Sequence, residues 1–199
     1  MLDELNPWIS DKDVTEKALQ RAIYRSEDCI KGKGTHIQWL DIELPVISDG
    51  PPRRDSLDMI GKYLNGQNKG KFIICEAKFC SDTSKSDNPE NAVEELSRYI
   101  SHIGDGAALE AAECHHGAAT FDWRDVPKKC EKWFLANSSY WAYWLGHMDQ
   151  WQFRDDIYYC YVDVPGDCFK DQAQSQSKYI PRMPKDITTI HTIRPIKSK

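Results

Sequence analysis

The stretch Lys71-Phe72-Ile73-Ile74-Cys75-Glu76-Ala77-Lys78-Phe79 decides the reading of this chain. It is apolar, rich in Ile and Phe, and preceded by turn residues, which predicts a strand. Side chains alternate faces along a strand. Ile73, Cys75, Ala77 and Phe79 therefore share one face, and all are apolar. Phe72, Ile74, Glu76 and Lys78 share the other. Glu76 and Lys78 thus stand side by side, about 6.5–7 Å apart at Cα, on a strand that otherwise reads as buried. Buried charges are costly unless they are paired or bound to a metal. The plain alternative is a surface salt bridge on an edge strand, and the apolar flanks argue against it.

Working outward, Leu57 to Leu64 is a second predicted strand, and Asn65-Gly66 with the polar residues to Gly70 reads as the turn of a hairpin. With a turn over 65–70, Leu64 pairs with Lys71 and Asp58 falls opposite Ala77. A one-residue change in the turn puts Asp58 opposite Glu76. Either way the two carboxylates meet near one height. Two carboxylates and a backbone carbonyl make an oxygen-rich site suited to Mg²⁺ or Mn²⁺, and a lysine beside them can hold a phosphate or orient a water.

Further elements follow from caps and periodicity. A helix opens at Asp13-Val14-Thr15-Glu16, which resembles a capping box, and Val14, Ala18, Ala22 and Ile23 recur at helical spacing. His36 to Val46 is a strand closed by Asp49-Gly50-Pro51-Pro52. Asn88-Pro89 caps a helix whose apolar stripe is Ala92, Leu96, Tyr99, Ile100 and Ile103. Lys132 to Ala136 is a short strand, Ser139 to Gln152 a helix, and Ile157 to Val164 a strand. From Asp167 the chain is polar and then basic, and Pro181, Pro184 and Pro195 argue against a long helix there.

At this point the sequence resembles a known family. Arg54-Asp55-Ser56-Leu57-Asp58-Met59-Ile60-Gly61 followed by Phe72 to Lys78 looks like the PD-(D/E)XK nuclease superfamily. The resemblance implies an α/β fold: a restriction-endonuclease-like core, mixed β-sheet flanked by helices, αβββαβ with a further helix and strand. It implies Asp58 as the motif aspartate, Glu76 and Lys78 as the E-x-K pair, and the Ala77 carbonyl as a metal ligand. Asp55 is the rival of Asp58 for the metal. Glu95-Leu96-Ser97-Arg98-Tyr99 resembles the Q-x-x-x-Y element of some branches, with Glu95 standing where they carry Gln. Glu16 matches the acidic residue that many members place near the metal. Helix capping and a solvated helix face are the bland readings of Glu16 and Glu95, and Tyr99 has core spacing. Arg53, Arg54 and Lys85 flank the site as candidate phosphate contacts.

Composition bounds the rest. The 199 residues suffice for one domain, with a core over about 13–164 and residues 165–199 as a C-terminal tail. The net charge of −5 is not that of a protein that grips nucleic acid by bulk charge. Seven cysteines without a CxxC pair predict free thiols in a reducing cytoplasm. The acidic start shows no signal peptide, and no apolar run is long enough for a membrane. Cys114-His115-His116 invites zinc with Cys130, but adjacent histidines diverge and a loop is the simpler reading. The aromatic run Trp133 to Trp151 reads as packing before base stacking.

The leading expectation is therefore a Mg²⁺- or Mn²⁺-dependent nuclease that hydrolyses DNA. Many members of the family dimerise to cut both strands; nothing in this sequence forces a homodimer. The rival is a catalytically inactive binding or assembly module in a DNA-defence or repair system, favoured by the acidic charge and Glu95. A third reading is an unrelated α/β domain with an accidental E-x-K, which Asp58 and Glu76 pointing apart would establish.

Overall fold

A computed structural model describes residues 16–24, 26, 29–31, 34–46, 55–80, 85–103, 109–110, 113, 123–162 and 188–193. In chain order these give α1 (Glu16–Tyr24), β1 (Cys29–Lys31), β2 (Thr35–Val46), β3 (Asp55–Tyr63), β4 (Phe72–Lys78), α2 (Pro89–Ile103), a short α3 (Val126–Lys129), β5 (Glu131–Asn137), α4 (Ser138–Trp144), β6 (Ile157–Val162) and β7 (Thr188–Thr192). Among the described residues no helix is long and apolar enough to cross a membrane.

The strands close into a seven-stranded mixed barrel in sequence order. β1 to β4 form an antiparallel meander. β5 and β6 then run parallel to β4, and β7 turns back antiparallel to β6. The ring is completed where β7 pairs in parallel with β1, Cys29 opposite Thr188 and Lys31 opposite Ile190. This corrects the expected open restriction-endonuclease-like sheet flanked by helices. The closing strands are short, three and five residues, and the pair they make with each other joins residues far apart in sequence, which periodicity does not register. Thr188-Thr189-Ile190-His191-Thr192 did carry a β-branched signal inside the stretch assigned to a tail.

Alternation along the strands sorts the core into two clusters. Ile37, Trp39, Met59, Ile73, Cys75, Trp133, Leu135, Cys160, Val162 and Ile190 fill the inside of the ring, with Leu19, Ala22 and Ile23 of α1 packed among them. Ile60, Ile74, Phe134 and Tyr159 face the other way and are covered by α2 and by the indoles of Trp141, Trp144 and Trp151. The aromatic run is thus packed core. The Trp141 indole donates to the Cys160 carbonyl at 2.8 Å, and the Trp151 indole donates to the Trp144 carbonyl at 2.8 Å. That last bond satisfies a carbonyl at the end of α4. The helix accordingly stops at Trp144 and continues only as a 3-10 turn, Leu145–His147, short of the predicted Gln152.

Two local features set the register that positions the site. First, β2 carries a bulge: Trp39 faces Gly61 and Asp41 faces Ile60, leaving Leu40 as the extra residue. Second, the β3–β4 loop spans 64–70. The Gly70 amide donates to the Tyr63 carbonyl at 2.8 Å, the Tyr63 amide donates to the Lys71 carbonyl at 3.1 Å, and Gly70 turns the chain with φ 82°. Tyr63, not Leu64, therefore stands across from Lys71.

Gly61 sits where the barrel wall leaves no room for a side chain. A Cβ there would lie 2.8 Å from the Trp39 ring and 3.0 Å from the Gln38 carbonyl oxygen. Gly61→Ala is expected to cost ~1–3 kcal/mol through overpacking, read as a lower denaturant midpoint at unchanged slope. A substitution that leaves the midpoint in place would show that this wall is not tightly packed.

Candidate functional site

β3 and β4 pair from Lys62↔Phe72 to Met59↔Cys75, and there the ladder ends. β3 goes on beside β2, through Leu44↔Leu57 to Val46↔Asp55. Asp58 is the first residue past the parting, level with Glu76. Its carboxylate takes the place of a strand partner, because Oδ2 accepts the Ala77 amide at 2.8 Å. The notch so formed holds Asp58, 9% exposed, Glu76, 3%, and Lys78, 6%. β4 lies between β3 and β5, so this is no salt bridge on an edge strand.

Three elements supply the remaining groups. The Lys78 ammonium donates to Glu76 Oε1 at 2.9 Å and to Glu95 Oε2 at 3.1 Å, with Asp87 Oδ2 at 3.9 Å. Glu95 comes from α2, whose start is fixed by the expected cap: the Asn91 amide donates to Asn88 Oδ1 at 2.8 Å. Glu16, on α1, lies close enough for its charge to act on Lys78 and Asp58. Gln20, one turn further and buried, hydrogen-bonds Asp58. Tyr99 faces the core, and the Arg98 guanidinium stacks on it at 5.1 Å. Asp55 begins β3 opposite Val46. Its side chain, together with Arg53, Arg54 and Cys114-His115-His116, lies outside the described residues.

The electrostatics of the notch are unbalanced. Burial raises the Asp58 carboxyl to about 6, against the Ala77 hydrogen bond and Lys78. Burial, reinforced by Asp58, raises Glu76 well above the usual carboxylate range. Burial raises Glu16 to about 7. Burial also pushes on Lys78, downward, but Glu76, Glu16 and Glu95 outweigh it and hold the ammonium above its ordinary range. Asp58 and Glu76 face each other, yet two ionised carboxylates have no hydrogen to share. Their contact is a hydrogen bond only when one of them carries a proton. Glu76 Oε2 is buried with no donor, a penalty of ~1–3 kcal/mol or more for a charged group.

A second buried carboxylate shows that this is not how the chain treats such groups elsewhere. Glu131, at the opposite end of β5, is 3% exposed. It accepts from Tyr63 Oη at 2.5 Å, the Trp133 indole at 3.0 Å and Asn68 at 3.1 Å, and lies 3.4 and 3.5 Å from Lys71 and Lys31. Burial alone would raise it; these donors outweigh burial and hold it below its usual value. Glu131 is a structural carboxylate with a full complement of donors. Glu76 lacks one, at Oε2.

Residues that sequence reading did not assign shape the notch from behind. Asn137, fully buried, donates to the Cys80 carbonyl at 2.9 Å and accepts the Cys80 amide at 3.0 Å, tying the chain after Lys78 to the end of β5. Tyr140 Oη donates to the Asp87 carbonyl at 2.7 Å and the Trp144 indole donates to the Lys85 carbonyl at 3.2 Å. Between them Ser86 takes φ 60°, a left-handed conformation that costs ~1–3 kcal/mol outside glycine. The segment carrying Asp87 is thus held in place from α4. Only Gln20 had a sequence signal, its spacing of four from Glu16 on one helix face.

Beyond Lys78 the notch meets a cleft of about 430 Å³ lined by Asp87, Asn91, Glu94, Glu95 and Arg98. Among the described residues no group of three or more His, Cys, Asp or Glu side chains forms a ready metal cage. The donor set to be tested is smaller: two carboxylates and a carbonyl. Mg²⁺ retains several waters and takes one or two protein carboxylates, so the under-supplied Asp58–Glu76 pair, with its orphaned oxygen, fits such an ion.

The raised carboxylates have a consequence for stability. Unfolded, Asp58 and Glu16 titrate near 3.8 and 4.5; folded, near 6 and 7. Between these values the folded chain keeps protons that the unfolded chain has lost, so rising pH removes stability. In chelator, the thermal midpoint is expected to fall from about pH 4 to about pH 7, and Asp58→Asn to flatten that fall. A wild-type midpoint that climbs through this window contradicts the charge imbalance.

Compared with protein-family models, with curated proteins and with solved structures, the chain matches none.

Proposed function

We propose that the notch is the active site of a metal-dependent nuclease that hydrolyses phosphodiester bonds in DNA. The observation that carries this reading is the buried Asp58–Glu76 pair, short of a donor at Glu76 Oε2, beside a buried ammonium at the mouth of a solvent cleft. The reading rests on the site and not on the fold. DNA as the substrate rests on the motif resemblance. The thiols of Cys75, Cys130 and Cys160, in no disulfide among the described residues, support a reducing, cytoplasmic setting.

Asp58, Glu76 and the Ala77 carbonyl would hold Mg²⁺ or Mn²⁺. The bound ion would lower the pKa of a coordinated water and offset charge on the phosphate. The chain's own contributions are more specific. The Ala77 amide fixes the Asp58 carboxylate through Oδ2. Gln20 supports Asp58 from α1. Lys78, kept charged by its acidic neighbours, would orient the attacking water or bind a phosphate oxygen. Lys85 is exposed on the rim, over the Tyr143 ring at 5.2 Å, where a phosphate of the flanking strand can reach it.

A specific observation favours a second reading. The Lys78 ammonium is already engaged by two carboxylates and the cleft wall is acidic, which suits an inactive binding or assembly module.

The purified protein with Mg²⁺ or Mn²⁺ is expected to cleave DNA. Asp58→Asn, Glu76→Gln and Lys78→Met should each lower kcat by about 10²–10³-fold, and the first two should weaken Mn²⁺ binding in calorimetry. Absence of cleavage of any DNA or RNA form, with Mn²⁺ affinity unchanged in Glu76→Ala, would sink the nuclease reading. No Mn²⁺ binding below millimolar by the wild type favours the module.

A further inference from the structure

We propose that Glu95 is a positioning residue that holds Lys78 in reserve, and that it releases the ammonium to an incoming phosphodiester by turning its carboxylate to Arg98. The proposal rests on the nuclease reading above and deepens it.

The geometry gives Glu95 two cations. Its Oε2 accepts from Lys78 at 3.1 Å, and its Oε1 lies 4.0 Å from Arg98 Nη2. The two partners differ in access: the Lys78 side chain is 7% exposed and that of Arg98 46%. Arg98 is pre-positioned rather than loose, stacked on the Tyr99 ring at 5.1 Å with Nη2 donating to Tyr99 Oη at 3.4 Å. A small torsion of a glutamate that lines the solvent cleft suffices to exchange one partner for the other.

The exchange answers a difficulty in the resting arrangement. An ammonium has three donors. Here Glu76 and Glu95 take two, and Asp87 stands at 3.9 Å on the cleft side. A phosphate oxygen arriving through the cleft meets the Glu95 carboxylate before it meets Lys78, and like charges at that range repel. Moving Glu95 to Arg98 frees one donor and withdraws the negative charge together. Glu76 cannot do this, because it is buried on β4 with its partner two residues on. Nor can Arg98 attract the phosphate while Glu95 shields it.

The test compares the full chain with Glu95→Gln. Glutamine keeps the shape and removes the charge. The expected result is a rise in kcat/KM for DNA of about tenfold, the size of one charge-assisted hydrogen bond no longer broken on substrate entry. Affinity for a short oligodeoxynucleotide in Ca²⁺ should rise by a similar factor, while Mn²⁺ affinity in calorimetry stays unchanged. Arg98→Gln should slow turnover, and the Glu95→Gln/Arg98→Gln double variant should recover it. Equal or slower turnover in Glu95→Gln, weaker Mn²⁺ binding, or a double variant as slow as Arg98→Gln overturns the proposal while leaving the nuclease reading in place. Failure of both wild type and Glu95→Gln to bind Mn²⁺ or cleave overturns the two together.

Discussion

The hydrogen bond from the Ala77 amide to the Asp58 carboxylate marks where this structure turns from scaffold into site. An unpaired amide inside a barrel wall must find an acceptor. Where β3 and β4 pair, from Lys62↔Phe72 to Met59↔Cys75, the ladder is one of backbone partners. At Ala77 the acceptor is a side chain, so the two strands separate without leaving that donor orphaned. The separation makes the notch, and the group that permits it is a carboxylate. Once Asp58 is buried for this purpose, its charge has to be balanced, and Glu76 beside it makes that harder.

How the chain meets buried charge differs at the two ends of β5. Around Glu131, indole, phenol, amide and ammonium donors converge from β1, β3, the hairpin loop and β5 itself. Such a cluster cross-links the ring where its sequence-distant strands meet, and truncating one member would leave others unpaired. Around Glu76 the neighbours are mostly carboxylates, and their placement is over-determined from behind. Asn137 clamps Cys80, Tyr140 and Trp144 grip the Lys85–Asp87 backbone, and Ser86 sits in a strained conformation between those grips. Strain and an unmet hydrogen bond at a well-supported place are what the proposed metal site would account for.

Local chemistry made much of this visible in the sequence. Ile73, Ile74 and Cys75 alternate between the two clusters as a strand pattern requires, and Asn88-Pro89 caps α2 as written. The turn over 65–70 puts the hairpin count one residue off because Leu64 also belongs to the loop, and register depends on the turn. What stayed hidden is non-local. Closure of the ring depends on three residues of β1 finding β7 more than 150 positions away, and no window of sequence contains both. Gln20, Asn137, Tyr140 and Trp144 look like ordinary helix or core residues until the fold brings a carbonyl, an amide or a carboxylate to them. The fold expectation failed at the same point for the same reason. A motif can be read from a few adjacent residues, but an architecture is a statement about pairs far apart, and a site and its scaffold are separable.

That separability bears on how charge governs access to the notch. Glu16, Asp58, Glu76, Asp87 and Glu95 surround Lys78, with Arg98 at the rim. One buried ammonium does not neutralise them, and burial beside like charges favours the protonated forms of Glu16, Asp58 and Glu76. Protons held this way are exchangeable for any cation that the oxygens fit better, and a divalent ion supplies two charges where a proton supplies one. The same arithmetic sets an order on binding. A phosphodiester approaching the bare notch meets a net negative wall and a lysine already occupied. On the proposed reading, added positive charge and a turn of Glu95 toward Arg98 would be needed before the potential at the mouth favoured an anion. The acidity of the chain as a whole would then be no obstacle to acting on a polyanion, because the sign of the field that matters would be decided inside the cleft.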